Sequence, residues 1–122
     1  MYIFNCLKIL YNFRICCENV HVSIIKACDA FKVTLIEIPS DKNYRMNNAL
    51  AKKAINSNTI CIIGSFPSYP HGIHDDIEGL SEICHSYDIP LHVDCCLGGL
   101  LIPFYAKAKI NIPKFDFSLK GK

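Results

Sequence analysis

The chain has 122 residues, 51% hydrophobic and 20% charged, the proportions of one globular domain rather than a disordered segment. Thirteen basic side chains against eleven acidic ones leave a net charge of +2, and Lys52-Lys53 is the only adjacent basic pair. Nothing in that balance marks a nucleic-acid surface.

The opening stretch MYIFNCLKILYNFRICC is apolar but is interrupted by Lys8 and Arg14. Its unbroken apolar pieces fall far short of the ~18–20 residues that a membrane span needs. No A-x-A cleavage pattern follows it, so a strand or leader packed on the core is expected. Asn19 is placed to cap a helix carrying Val20, Ile24, Ala27, Cys28 and Phe31 on one side. Residues 32–39, KVTLIEIP, read as a strand stopped by Pro39, and 41–45 as a polar turn. Asn47 or Asn48 can cap a short helix, ALAKKAINS.

TICIIG (59–64) is a continuous β-branched run, the pattern of a strand buried on both faces. The loop SFPSYPHGIH follows. Asp75 or Asp76 then caps a helix with Ile77, Leu80, Ile83, Cys84 and Tyr87 at helical spacing. Pro90–Val93 reads as the next strand, 100–108 as a short helix broken by Pro103, and Phe115–Leu119 as another strand. The alternation of strand and helix predicts an α/β fold: a parallel sheet with right-handed crossovers. About four strands belong to it, so the sheet reads as part of a larger one.

The eight cysteines contain no C-x-x-C spacing, and Cys61 and Cys84 lie inside apolar segments. Free thiols and a reducing compartment are expected.

The most informative stretch is IPLHVDCCLGG (89–99), an apolar strand that finishes on Asp94. In open parallel sheets, ligands bind beyond the carboxyl ends of the strands. Three roles suit Asp94 there. It can be a helix cap or turn aspartate. It can join His92 and one of His71, His74 or His85 on a metal, although no two-His-plus-acid signature fits and no metal is expected. Or it can bond the ring nitrogen of pyridoxal phosphate and keep that nitrogen protonated. Gly98-Gly99 leaves room for close backbone approach.

GSFPSYPHG (64–72), a helix, LHVDCCLGG (91–99) and FDFSLKG (115–121) together resemble the sphingosine-1-phosphate lyases. These belong to the pyridoxal-phosphate-dependent decarboxylase-like group. The resemblance implies residues 14–122 as a fragment of the large domain of the aspartate-aminotransferase-like, fold type I architecture, behind an unmatched leader at 1–13. It makes Asp94 the pyridinium partner and His21 the histidine stacked on the cofactor ring. Ser65 becomes a cofactor contact and His71 a substrate contact. Cys95, where alanine is usual, adds a thiol beside the site, and Phe66 replaces a small residue and threatens to crowd it.

The same resemblance puts the phosphate cup upstream of residue 1 and the Schiff-base lysine about ten residues beyond Lys120-Gly121. No catalytic lysine is therefore expected within the chain, and the chain alone is expected to be inactive. The implied reaction is retro-aldol C2–C3 cleavage of a phosphorylated sphingoid base, giving a long-chain aldehyde and phosphoethanolamine. A homodimer at the cytosolic face of the endoplasmic reticulum is implied, with no nucleic-acid partner and no membrane segment in this chain. An amino-acid decarboxylase fragment and a non-catalytic truncated product are the competing readings.

Overall fold

The computed structural model describes residues 13–105 and 107–110. Eight elements alternate along them: β1 (Phe13–Cys17), α1 (Val22–Ala30), β2 (Thr34–Ile38), α2 (Asn48–Ala54), β3 (Thr59–Ser65), α3 (Ile77–Ser86), β4 (Leu91–Asp94) and α4 (Gly98–Tyr105). The strands form one sheet in the order β2-β1-β3-β4, every neighbouring pair parallel. The strand expected at Phe115–Leu119 lies outside the described residues.

Connection direction decides which face each helix covers. From β1 the chain steps one way to β2, then crosses back past β1 to β3 and onward to β4. Right-handed crossovers taken in opposite directions place their helices on opposite faces. The core divides accordingly. Ile15, Cys17, Ile38, Ile62 and Phe66 pack with Ala51, Ile77, Leu80 and Cys84 of α2 and α3. Cys16 and Ile63, one position along on β1 and β3, pack with Val20 and Ile24 on the α1 side. This is why the apolar residues of TICIIG run on without alternation: they face two cores. Gly64 lets α3 come close, since a Cβ there would stand 2.9 Å from Ile77 Cδ1.

Several boundaries differ from the sequence expectation, most by one to three residues, and three of them are instructive. Helix α1 is capped by His21 rather than Asn19, its side chain accepting from the Ser23 N–H. A turn intervenes, in which the Val20 N–H donates to the Cys17 carbonyl at 3.0 Å, and Asn19 Nδ2 instead donates to the Tyr44 carbonyl. Strand β2 starts at Thr34 because Lys32 belongs to the helix end. With φ of 55°, Lys32 turns the chain so that Val33 N–H reaches the Cys28 carbonyl at 2.8 Å. Helix α4 starts at Gly98, two residues before Leu100, and carries Pro103 within it. The two open cap choices settle on Asn47, bonded to Leu50 N–H, and Asp76, bonded to Gly79 N–H.

Candidate functional site

Three strand ends converge on one cleft. Ser65 is the last residue of β3 and Asp94 the last of β4, and the two are register partners. His21 follows by four residues the end of β1, the strand beside β3, and caps α1. The chain steps away from β1 and β3 in opposite directions here, the place where an open α/β sheet leaves a crevice. His21, Ser65 and Asp94 line a cleft of about 110 Å³, with Ser68, Tyr69 and Cys96 among its other walls.

Each of the three is held by local structure. The Phe66 N–H donates to the Asp94 carbonyl at 2.8 Å, extending the β3–β4 ladder one step past Ser65. The Asp94 side chain accepts from the Cys96 N–H at 3.2 Å, so the turn role open to it in the sequence is one that it performs. That carboxylate pushes the Cys96 thiol up, first through its hydrogen bond and then through its charge. His21 Nδ1 contacts Ser23 Oγ at 2.8 Å and Ser23 N at 3.3 Å, which fixes the imidazole at the start of α1. Its ring meets Tyr69 edge-on, centroids 6.3 Å apart.

Ser65 depends on a residue that the sequence offered only as a cap. Asp75 is 2% exposed. Its Oδ2 accepts from Ser65 N–H at 2.8 Å and its Oδ1 from Met46 N–H at 2.7 Å. Burial raises its carboxyl above the ordinary value, the two N–H bonds pulling the other way. The adjacent pair Asp75-Asp76 was the available signal: one acid caps α3, which leaves the other free for the interior.

The remaining sequence candidates sit elsewhere. His71 is exposed and stacks on the Tyr44 ring, centroids 4.6 Å apart, outside the cleft lining. Phe66 does not crowd the cleft. It is buried in the core and stacks on His74, because the residue after Ser65 turns to the opposite face. Cys95 likewise packs against the core, and it is Cys96 that lines the cleft. Among the described residues no three His, Cys, Asp or Glu side chains gather as a metal site. None of their helices is long and apolar enough to cross a membrane.

The model of the pyridoxal-dependent decarboxylase conserved domain matches residues 10–119. The chain belongs to that family. It is 46% identical over 104 residues to a sphingosine-1-phosphate lyase of Arabidopsis thaliana, covering 85% of this chain and 19% of the relative. It is 44% identical over 103 residues to the Saccharomyces cerevisiae sphingosine-1-phosphate lyase, covering 83% of this chain and 18% of that one. The solved sphingosine-1-phosphate lyase of Burkholderia pseudomallei superposes with a TM-score of 0.87 at 33% identity, over 93% of this chain and 26% of that one. A Lactobacillus brevis glutamate decarboxylase shares the fold, with a TM-score of 0.79 at 22% identity over 91% of this chain and 26% of its own. These neighbours are fold type I enzymes, as the resemblance implied, and the chain spans about a fifth of the length of the curated relatives it matches.

Family membership implies pyridoxal 5′-phosphate as the cofactor. The cleft residues fit it. A strand-terminal carboxylate suits a protonated ring nitrogen, an imidazole suits a ring face, and the buried Ser68 hydroxyl, without a partner among the described residues, suits an acceptor brought by a ligand.

Proposed function

We propose that this chain forms the ring-nitrogen and ring-face walls of a pyridoxal-phosphate site in a carbon–carbon lyase. The substrate class is a phosphorylated sphingoid base such as sphingosine 1-phosphate, and the products are a long-chain aldehyde and phosphoethanolamine. The observation that carries this is the convergence of His21, Ser65 and Asp94 on one cleft.

When bound, the cofactor supplies a sink for the electron pair released as the C2–C3 bond breaks. The chain's own part is electrostatic and steric. Asp94 holds a proton on the ring nitrogen, because a carboxylate at hydrogen-bond range favours the charged heterocycle. His21 covers one ring face and excludes water from it. Ser65, pinned through its N–H by Asp75, keeps its place beside Asp94 across the β3–β4 register. The family resemblance extends the proposal to a homodimer at the cytosolic face of the endoplasmic reticulum, with His71 nearer the substrate than the cofactor.

The test uses the full-length protein, incubated in turn with a phosphorylated sphingoid base, glutamate and an aromatic amino acid. Aldehyde release from the first alone is expected. Carbon dioxide from an amino acid would instead make it a decarboxylase. D94A should lose orders of magnitude in turnover with an unchanged circular dichroism spectrum. Near-wild-type turnover in that variant would remove Asp94 from its role.

A further inference from the structure

The Ser68 hydroxyl is a buried polar group of the cleft that neither the fold of the described residues nor the proposed chemistry uses. Ser68 is 3% exposed and lines the cleft beside His21 and Asp94. Its Oγ has no hydrogen-bond partner among the described residues. Its backbone is fully occupied: its N–H donates to the Ile73 carbonyl at 2.8 Å, and its carbonyl accepts from the Gly72 N–H at 2.9 Å. These two bonds lock the loop between β3 and α3, so the hydroxyl is the one group of this residue free to turn, about a single torsion.

We infer that the Ser68 hydroxyl donates a hydrogen bond to an anionic oxygen of the phosphorylated ligand held in this cleft, a contact that rests on the proposed pyridoxal-phosphate reading. A buried hydroxyl without a partner is costly, and folded proteins place few of them. At a cleft wall, that cost is relieved by a bound acceptor. Neighbouring groups are committed: Ser65 N–H donates to Asp75, Cys96 N–H donates to Asp94, and His21 Nδ1 accepts from the Ser23 N–H. Asp94 itself repels an anion, so an oxygen anion entering here needs a donor set apart from that carboxylate. Ser68 supplies one. The oxygen can come from the cofactor or from the phosphorylated substrate, and the experiment separates them.

The variant is S68A in the full chain. Two readouts are taken: the melting temperature without ligand, and the dissociation constant of pyridoxal 5′-phosphate by absorbance titration, with and without phosphoethanolamine. Without ligand, S68A should melt at or above the wild-type temperature, because it deletes an unpartnered buried hydroxyl. With ligand it should bind roughly tenfold more weakly, the loss of one hydrogen bond to a charged group. A loss with pyridoxal phosphate alone assigns the oxygen to the cofactor. A loss seen only with phosphoethanolamine present assigns it to the substrate phosphate. A lower ligand-free melting temperature would mean that the hydroxyl has a protein partner and would overturn the inference. So would equal affinities in both arms while the wild type binds, which leaves the proposed function standing. A wild type that takes up no pyridoxal phosphate would overturn both.

Discussion

Ser65 and Asp75 exchange two hydrogen bonds that close a ring: Ser65 N–H donates to Asp75 Oδ2 at 2.8 Å, and Asp75 N–H donates back to the Ser65 carbonyl at 2.9 Å. The second Asp75 oxygen takes the Met46 N–H, from the segment that leads into α2. One carboxylate thus joins the end of β3, the start of α3 and the approach to α2. The cleft wall at Ser65 is as firm as that junction.

D75A orphans two N–H groups that are held by a buried carboxylate. Each buried unpaired donor costs about 1–3 kcal/mol, so a loss of roughly 3 kcal/mol is expected in urea melts. The pH dependence has a definite sign. Burial raises the folded carboxyl above its ordinary value of 3.8. The folded state therefore holds the proton more tightly, and this group's contribution is fully present below that value and lost as pH rises through the folded one. The gap between wild type and D75A should narrow from about pH 4 upward. A gap that widens with pH would contradict the raised carboxyl.

The alternation of apolar runs made the sheet and its crossovers legible, and Asp94 stood out because it ends an apolar strand with a charge. Helix ends were less legible. Lys32 and Asp88 take left-handed conformations, φ 55° and 54°, and close α1 and α3 through carbonyls of Cys28 and Cys84. Glycine usually marks such a place, and here there is none. Asp75 was hidden for a different reason: its partners, Ser65 and Met46, are 10 and 29 residues away, a distance that local pattern does not report. The directions of Phe66 and Cys95 follow the strand alternation carried one residue past each strand end, Phe66 facing the core with Ile62 and Cys95 with Leu91 and Val93, so the pattern reported them even though family resemblance pointed to the cleft.

The glycine pair after Asp94 should respond unequally to alanine. A Cβ on Gly98 would fall on the Phe66 carbonyl oxygen, with the Phe66 C and Cδ1 atoms at 3.0 Å. Helix α4 would have to withdraw from the end of β3, so G98A should lose roughly 1–3 kcal/mol and weaken cofactor uptake. A Cβ on Gly99 would meet only Cys95 Sγ, at 3.7 Å, an ordinary contact. G99A lies in α4 and should be neutral or stabilising by about 0.5–1 kcal/mol. Thermal melts of the two variants decide it, and equal losses would show that the close approach at Gly98 is misplaced.

The thiols should separate by burial. Cys16 is pushed up to about 12 and Cys84 to about 11, in both cases first by burial. Cys96 is raised too, by Asp94, yet it is the exposed one. Alkylation needs an accessible thiolate. Near neutral pH, iodoacetamide should modify Cys96 well before Cys16 or Cys84, which should react only after denaturant is added. Peptide mass mapping over time reads the order. Equal rates for Cys84 and Cys96 would mean that the core around α3 is open.

His21 combines two duties that substitution can pull apart. As the N-cap of α1, its Nδ1 accepts from the Ser23 N–H. As a cleft wall, its imidazole lines the same cleft as Ser65 and Asp94, in a T-shaped contact with the Tyr69 ring. Asparagine caps helices well but has no aromatic face. H21N should therefore melt near the wild-type temperature, while H21A should lose about 1 kcal/mol with the cap. Both should bind pyridoxal 5′-phosphate more weakly than wild type, and by similar factors, because both lack the ring. If H21N bound the cofactor as tightly as wild type, His21 would be a capping residue alone, and the ring-face wall of the site would have to come from another side chain.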